Sequence, residues 1–377
     1  MPNKICLAAS TLYYPKGGGH LWAYLNWALG LKSNGYEIIW LEGIANTKLH
    51  SDNIFYLNTL KNKLLKFGIT QIAFWHWDLE KPHHQVYDGF SRIEEIATGC
   101  EFILNQNYSM PDRIIKLFRK SVLLDIDPGL LQMWISKSQI KMYPHDIYFT
   151  IGETVGAAGA LFKSGGIKWN YIPPCISLEH WPIVSEKNDD RYTTITHWQM
   201  KIWEEDNGIL YNNEKRAGFL PYLQLPNHTS QKLELAICLS EEELEEKQML
   251  SKLGWNVVDS HIVSATPEDY QKYIQLSKGE FSCAKPSCIR LQNAWISDRT
   301  ICYLASGKPA IIENTGRSRF LPDREGVLRF SNFTEALQCI EDANLNYDFH
   351  AIRARKLAEE YFSATKVASK LIEKVIC

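Results

Sequence analysis

The nine cysteines of this 377-residue sequence include no CxxC pair, and the two closest are Cys283 and Cys288. That spacing argues against a zinc site and against a disulfide framework. It fits free thiols in a reducing cytoplasm. Long apolar runs are missing too: Ile5 to Ala9, after Met1-Pro2-Asn3-Lys4, is too short for a signal-peptide core or a membrane span. The expectation is a cytoplasmic protein with no membrane span. Net charge is also lacking, with 41 basic against 43 acidic residues and a balance of -2. Broad binding to nucleic acid or to a membrane surface is therefore disfavoured, although a local basic patch stays open. There is no internal repeat and no low-complexity segment. The GxGxxG dinucleotide fingerprint is absent as well, so an acidic ribose ligand at Glu42, beside Leu41, lacks its glycine partners and an NAD-dependent oxidoreductase is the least favoured enzyme. Asp125-Ile126-Asp127 spells a DxD, but Ile126 and Pro128 mark a strand end, and no metal site is expected.

What is present reads as two domains. The composition, 45% hydrophobic and 22% charged, is that of a globular chain long enough for two cores. Strand-like runs at Lys4 to Ser10, Tyr36 to Leu41, Thr70 to Phe74, Glu101 to Leu104, Val122 to Ile126 and Ile147 to Ile151 alternate with helical stretches such as Leu21 to Ser33. Alternation of this kind predicts a parallel sheet with helices on both faces and right-handed crossovers. Prolines at Ile172-Pro173-Pro174 and Trp181-Pro182, with the polar run Ser185 to Arg191, read as a hinge. A second alternating set follows: strands at Tyr192 to Thr196, Lys232 to Cys238, Trp255 to Val258, Phe281 to Ala284 and Pro309 to Ile312. Helices are expected from Ser240 (a cap, with Glu243 completing a box), from Thr266-Pro267 and from Ser297 to Ala305. The expected architecture is α/β, with a Rossmann-like domain over 1–172, another over 187–355, and a helix over 356–377 crossing back to the first. Such pairs bind ligand in the cleft between them. Twelve tryptophans, among them Trp75 and Trp77 around His76, read mainly as core, with some rings suited to stacking on sugars or bases.

Four segments carry chemistry. Gly17-Gly18-Gly19 precedes the first helix, where backbone N–H groups can approach an acceptor or a phosphate, and His20 stands at the helix start as a candidate general base or a capping residue. Ser297-Asp298-Arg299 opens a helix: Ser297 caps it, Arg299 offers a forked contact to a diphosphate, and Asp298 offers acceptors to hydroxyls. The same three residues also read as an ordinary capped surface helix. Lys285 follows a strand that holds Glu280, at the carboxyl edge where open sheets bind ligands, or else is a solvated loop lysine. Thr315-Gly316 and the arginines Arg317 and Arg319 form a turn that can close over a donor, or lie open to solvent.

Ser297-Asp298-Arg299, then Tyr303-Leu304-Ala305-Ser306-Gly307-Lys308-Pro309-Ala310, Asn314-Thr315-Gly316 and Phe320-Leu321-Pro322, resembles a motif group of bacterial GT-B glycosyltransferases. The likeness extends over Gly254-Trp255, Ser277 to Lys285, Glu325 to Leu328 and Ala358 to Phe362, and in the first half over Asp125 to Pro128 and Phe149 to Glu153. It implies GT-B architecture, two Rossmann-like domains facing across a cleft. It also implies sugar transfer from a nucleotide-diphosphate sugar, as co-substrate, to an acceptor hydroxyl or similar nucleophile, with no bound metal or other cofactor. The donor diphosphate would sit on the helix opened by Ser297-Asp298-Arg299, and the acceptor near Gly17 to His20. One departure stands out: many retaining relatives carry a second glutamate at the position of Cys302. Whether Asp298 or Glu280 holds the ribose, and the stereochemical outcome, stay open. The alternatives are a sugar-nucleotide epimerase or hydrolase of the same fold, or a non-catalytic nucleotide-sugar-binding protein.

Overall fold

The computed structural model describes residues 3–45, 47–77, 86–184, 190–199, 203–206, 208–238 and 244–376. The cap and box expected at Ser240 and Glu243, and residues 185–189 of the expected hinge, lie outside the described residues. The chain divides into two compact units. One comprises Met1–Gly156, Phe162–Cys175 and Ala364–Cys377, and the other Ala157–Leu161 and Ile176–Ser363.

In the first unit, strands β1 (Lys4–Ala8), β2 (Glu37–Ile44), β3 (Gln71–His76), β4 (Ser91–Arg92), β5 (Cys100–Asn105), β6 (Ser121–Asp125), β7 (Ile147–Thr150) and β8 (Asn170–Tyr171) form one parallel sheet in the order β4-β3-β2-β1-β5-β6-β7-β8. Ile5, Cys6, Leu7 and Ala8 are all fully buried, which is why this strand reads as a continuous apolar run: both faces of a parallel sheet are covered. The strand order reverses between β1 and β5, so the switch point of the sheet lies where the β1 loop begins.

Helix α1 (Gly18–Ser33) starts three residues before the expected Leu21, so Gly18 and Gly19 form its first turn. It shows no amphipathic stripe because both sides are covered, by the sheet and by the terminal helix α2 (Ala364–Ile376). The apolar stripe Ala364, Val367, Ala368, Leu371 and Val375 has helical spacing and is buried. Around it, Lys120 Nζ donates to the Val375 carbonyl, and Asn34 Nδ2 donates to Thr365 O at 3.0 Å.

In the second unit, β9 (Arg191–His197), β10 (Trp203–Asp206), β11 (Ile209–Asn212), β12 (Lys232–Cys238), β13 (Asn256–Asp259), β14 (Gly279–Ser282), β15 (Ala310–Glu313) and β16 (Val327–Phe330) appear in that order. Six of them pair in parallel as β13-β12-β9-β14-β15-β16, and β10–β11 is a separate antiparallel hairpin. The hairpin and β16 have no counterpart in the strands expected from sequence, and Arg191 belongs to a strand rather than to the hinge. The core is aromatic: Phe281 and Phe330 stack with centroids 5.3 Å apart, alongside Trp198, Phe219 and Trp255. The order reverses between β9 and β14, which sets a second switch point. The described cysteines are free, and all but Cys238 are buried. No helix among the described residues is long and apolar enough to cross a membrane.

At Gly30 α1 packs directly against the start of α2. A Cβ built there would lie 2.6 Å from the Ala364 carbonyl oxygen, a backbone atom that cannot rotate away. Helix propensity favours alanine over glycine by about 1 kcal/mol, whereas overpacking a tight contact costs about 1–3 kcal/mol. The steric term wins, so Gly30→Ala lowers stability in urea titration. A neutral or stabilising result contradicts this seating of the terminal helix.

Candidate functional site

At the second switch point the ends of β9 and β14 are held by one side chain. Ser297 caps helix α3 (Asp298–Ala305), its Oγ accepting the Arg299 N–H at 3.2 Å, and Arg299 leans back under the strand ends. Nε donates to Glu280 Oε1 at 2.7 Å, Nη1 to the Ile195 carbonyl at 2.9 Å and Nη2 to Ser282 Oγ at 2.6 Å. Three of the five guanidinium N–H bonds are thus engaged by protein, leaving two for a ligand. Burial works against the cation, but the neighbouring Glu280 carboxylate outweighs it, and the guanidinium is held above its usual range. Glu280, expected as a donor contact, is fully buried, does not line the pocket described next, and is the counter-charge of Arg299. Pleating explains this, because Glu280 and Ser282 share one face of β14 while Phe281 enters the core on the other.

A narrow pocket opens beside Arg299, lined also by Lys215, Cys283, Glu313, Thr315 and Trp295. Lys215, unnoticed in the sequence, is buried, and its Nζ donates to the Cys283 carbonyl. Burial, and then the Arg299 charge, push its pKa down from 10.5 to about 8; Lys285 acts in the same direction. The short helix α4 (Lys215–Phe219) that presents it rests on the end of β14: a Cβ on Gly218 would fall 1.9 Å from the Ala284 carbonyl oxygen. Glu313 closes the β15 end, accepting the Ala284 N–H at 2.8 Å and the Tyr222 hydroxyl at 3.0 Å. Burial raises its pKa against those hydrogen bonds and the Lys215 charge. Lys215 stands far from every expected segment in sequence. Glu313 had a legible signal, a charge ending a strand at a carboxyl edge.

Among the remaining expected donor residues, Ser297 and Thr315 line this pocket, and the Thr315 hydroxyl donates to the Trp295 carbonyl at 2.7 Å. Asp298 is half-buried in the first turn of α3 and accepts from Ser297 Oγ at 3.2 Å. Lys285 is half-buried just before the helix Pro286–Leu291. The Gly316 N–H donates to Asn314 Oδ1 at 3.0 Å, at φ 120°. Arg317 and Arg319 do not line the narrow pocket; they face a separate one.

In the first unit, Gly17 is the cap residue of α1, and its N–H donates to the Tyr14 carbonyl at 3.1 Å. The N–H groups of Gly18, Gly19 and His20 fall in the first turn, beyond reach of any i−4 carbonyl within the helix. The expected open glycine loop is therefore a cap and a first turn. His20 is exposed, with its ring edge-on to Tyr14 and Tyr24, and Nε2 meets the Ser10 carbonyl at 2.9 Å. A carbonyl only accepts, so the hydrogen sits on Nε2 and Nδ1 is the basic nitrogen. Glu42 is buried and accepts the N–H groups of Thr11 at 3.0 Å, Leu12 at 3.3 Å and Trp40 Nε1 at 2.9 Å, which ties down the β1 loop and removes it as a ribose ligand. Asp125 is likewise interior: Gln132 Nε2 and Thr150 Oγ1 each donate to it at 2.7 Å, and burial raises its pKa to about 6. Among the described residues no three His, Cys, Asp or Glu side chains gather as a metal site.

No protein-family model matches the sequence, and no curated protein does. Solved structures do match in shape. HepE of Anabaena, in complex with UDP and glucose, is 10% identical, with 99% of each chain covered and a TM-score of 0.61. Sucrose-phosphate synthase of Thermosynechococcus elongatus is 11% identical over 99% of this chain and 98% of that one, with a TM-score of 0.58. An α-glucosyltransferase in complex with UDP is 10% identical over 99% of this chain and 100% of that one, with a TM-score of 0.59. At these identities the likeness is one of fold. The chain has the α/β fold, with two parallel sheets, of the GT-B glycosyltransferases.

The buried pair has a thermodynamic consequence. Removing only Arg299 strands the Glu280 carboxylate in the interior, which costs about 3–5 kcal/mol. Arg299→Ala is therefore expected to lose stability, and Arg299→Met with Glu280→Leu to regain most of it. Urea titration of the single and double variants checks this. Equal stability of Arg299→Ala and wild type contradicts the pairing.

Proposed function

We propose that this protein is a glycosyltransferase that moves a sugar from a nucleotide-diphosphate donor to an acceptor hydroxyl or similar nucleophile. The observation that carries the reading is the desolvated Lys215 ammonium, set beside Arg299 and the first turn of α3 at a sheet switch point. A buried cation with one carbonyl partner is stabilised by an incoming anion, and helix N–H groups favour the same charge. The structural relatives that hold UDP or UDP-glucose support a nucleoside diphosphate as that anion.

In transfer, the acceptor oxygen bonds to the anomeric carbon as the bond from that carbon to the β-phosphate oxygen breaks. The electron pair leaves with the diphosphate, where Lys215, the remaining Arg299 N–H groups and the α3 amides stabilise it. Lys285 adds to the positive field. These cations supply what a divalent metal supplies elsewhere, and we infer transfer without a resident metal or other cofactor. In the first unit, Nδ1 of His20 takes the acceptor proton, and the Ser10 carbonyl holds the ring in the basic tautomer. The balance of -2 supports an acceptor other than nucleic acid, and the buried free thiols support a cytoplasmic setting.

The Lys215 pKa of about 8 sets a pH signature. Below pH 8 the ammonium is charged with or without ligand, and UDP affinity is flat. Above it the free protein must take up a proton to bind, so affinity falls by about tenfold per pH unit until the pKa of the complex is reached. Calorimetry with UDP from pH 7 to about 9.5 is expected to show this decline with proton uptake, and Lys215→Met to show weak, pH-independent binding. A flat wild-type profile rejects Lys215 as the diphosphate cation.

His20→Gln tests the other half of the reaction. Loss of a general base lowers kcat by about 10²–10⁴-fold, with UDP affinity retained. Turnover at the wild-type level removes His20 from the role.

A further inference from the structure

The second unit holds another pocket, of about 870 Å³, which the donor reading leaves unused. Five arginines line it: Arg317, Arg319, Arg324, Arg329 and Arg353. The acidic groups there already have partners. Arg353 pairs with Glu325 at 2.6 Å and Arg329 with Asp323 at 3.6 Å, while Glu335 accepts the Ser331 N–H at 2.7 Å and Asn332 Nδ2 at 2.8 Å beside the helix Phe333–Leu345. Two features mark a cation surplus. Arg317 is exposed and makes no ion pair or hydrogen bond to another described residue. Arg353 Nε is buried without a hydrogen-bond partner, although its Nη2 is paired. Arg324, at φ +59°, pairs with Asp342 at 3.4 Å.

The geometry points to a second anion site, separate from the donor pocket, that takes a phosphate-bearing small molecule. A phosphate group presents several charged oxygens, so several guanidinium forks can share it. The exposed Phe320 ring, 5.3 Å from the Arg319 guanidinium, offers an apolar wall for the rest of such a ligand. Because the whole chain carries a balance of -2, this surplus is local rather than part of a general basic character.

Inorganic pyrophosphate is the probe, titrated by calorimetry into UDP-saturated protein at about 0.15 M salt to suppress diffuse attraction. One binding event is expected. It should weaken by roughly tenfold or more in Arg317→Ala/Arg319→Ala, since each lost charge-assisted contact is worth about a factor of ten, while UDP affinity is unchanged. Arg317→Lys/Arg319→Lys, which keeps the charge but not the forks, should fall between. Absence of pyrophosphate heat, or heat that the double alanine variant leaves intact, overturns the site. Should UDP itself fail to bind, the donor reading falls, yet the pyrophosphate arm still reads, because the loss in the double variant needs no UDP.

Discussion

Arg299 and Glu280 meet at 2.7 Å beneath the point where the second sheet reverses its strand order, and the neighbouring geometry is set by what the guanidinium binds. Removing two charges from water costs several kcal/mol per ion, so the attraction alone does not justify the arrangement. The additional hydrogen bonds do. Ile195 O fixes the end of β9 and Ser282 Oγ fixes the end of β14 to one rigid guanidinium plane. The strand ends are thereby set relative to the first turn of α3, which is the precision an anion site needs. Burial, and next the Arg299 charge with which it cannot pair, disfavour the Lys215 ammonium. The stabilising element of the fold is thus also what primes the pocket electrostatically.

The first sheet solves the same problem with a different residue. Its switch point is held by Glu42, whose carboxylate accepts backbone N–H groups from the β1 loop. Here one buried charge is met by oriented dipoles instead of a counter-ion. The loop it anchors begins at Ser10, the carbonyl that orients His20. In both units, then, a buried acid stands one step away from the candidate site residues and acts through what it positions. Both glutamates were visible in the sequence as charges in or beside strands, and both invited a reading as direct ligands. In the structure their carboxylates are turned to protein groups: Glu42 to Thr11 and Trp40, Glu280 to Arg299.

That difference shows where sequence reasoning works and where it stops. Apolar runs such as Ile5 to Ala8 and the Ser297 cap are local, and the strands and helix that they announce are present. Lys232 to Cys238 matches its strand end for end. The failures are non-local. α1 was legible from Leu21 onward but not its start at Gly18, and a helix more than three hundred residues later covers its outer side. Lys215 lies on a five-residue helix with no motif around it, and its meaning arises only from the Cys283 carbonyl and Arg299. Pairings between distant segments leave no periodicity to read.

Charge distribution carries the argument a step further. A balance of -2 excluded a general attraction for anions, yet the second unit concentrates cations at two places with opposite designs. In the narrow pocket Lys215 is desolvated and Arg299 is locked by protein, so the geometry is fixed and the Lys215 charge is costly to leave unmet. In the wide pocket the arginines are long, partly exposed and only partly paired, so attraction there is screened by salt and tolerant of ligand shape. A rigid, dry site suits a ligand whose charge changes during reaction, because preorganised dipoles need no rearrangement as charge develops. A wet, adjustable one suits capture of an anion whose charge stays the same. Cations in one domain are therefore held in two physical environments, and the degree of burial separates them.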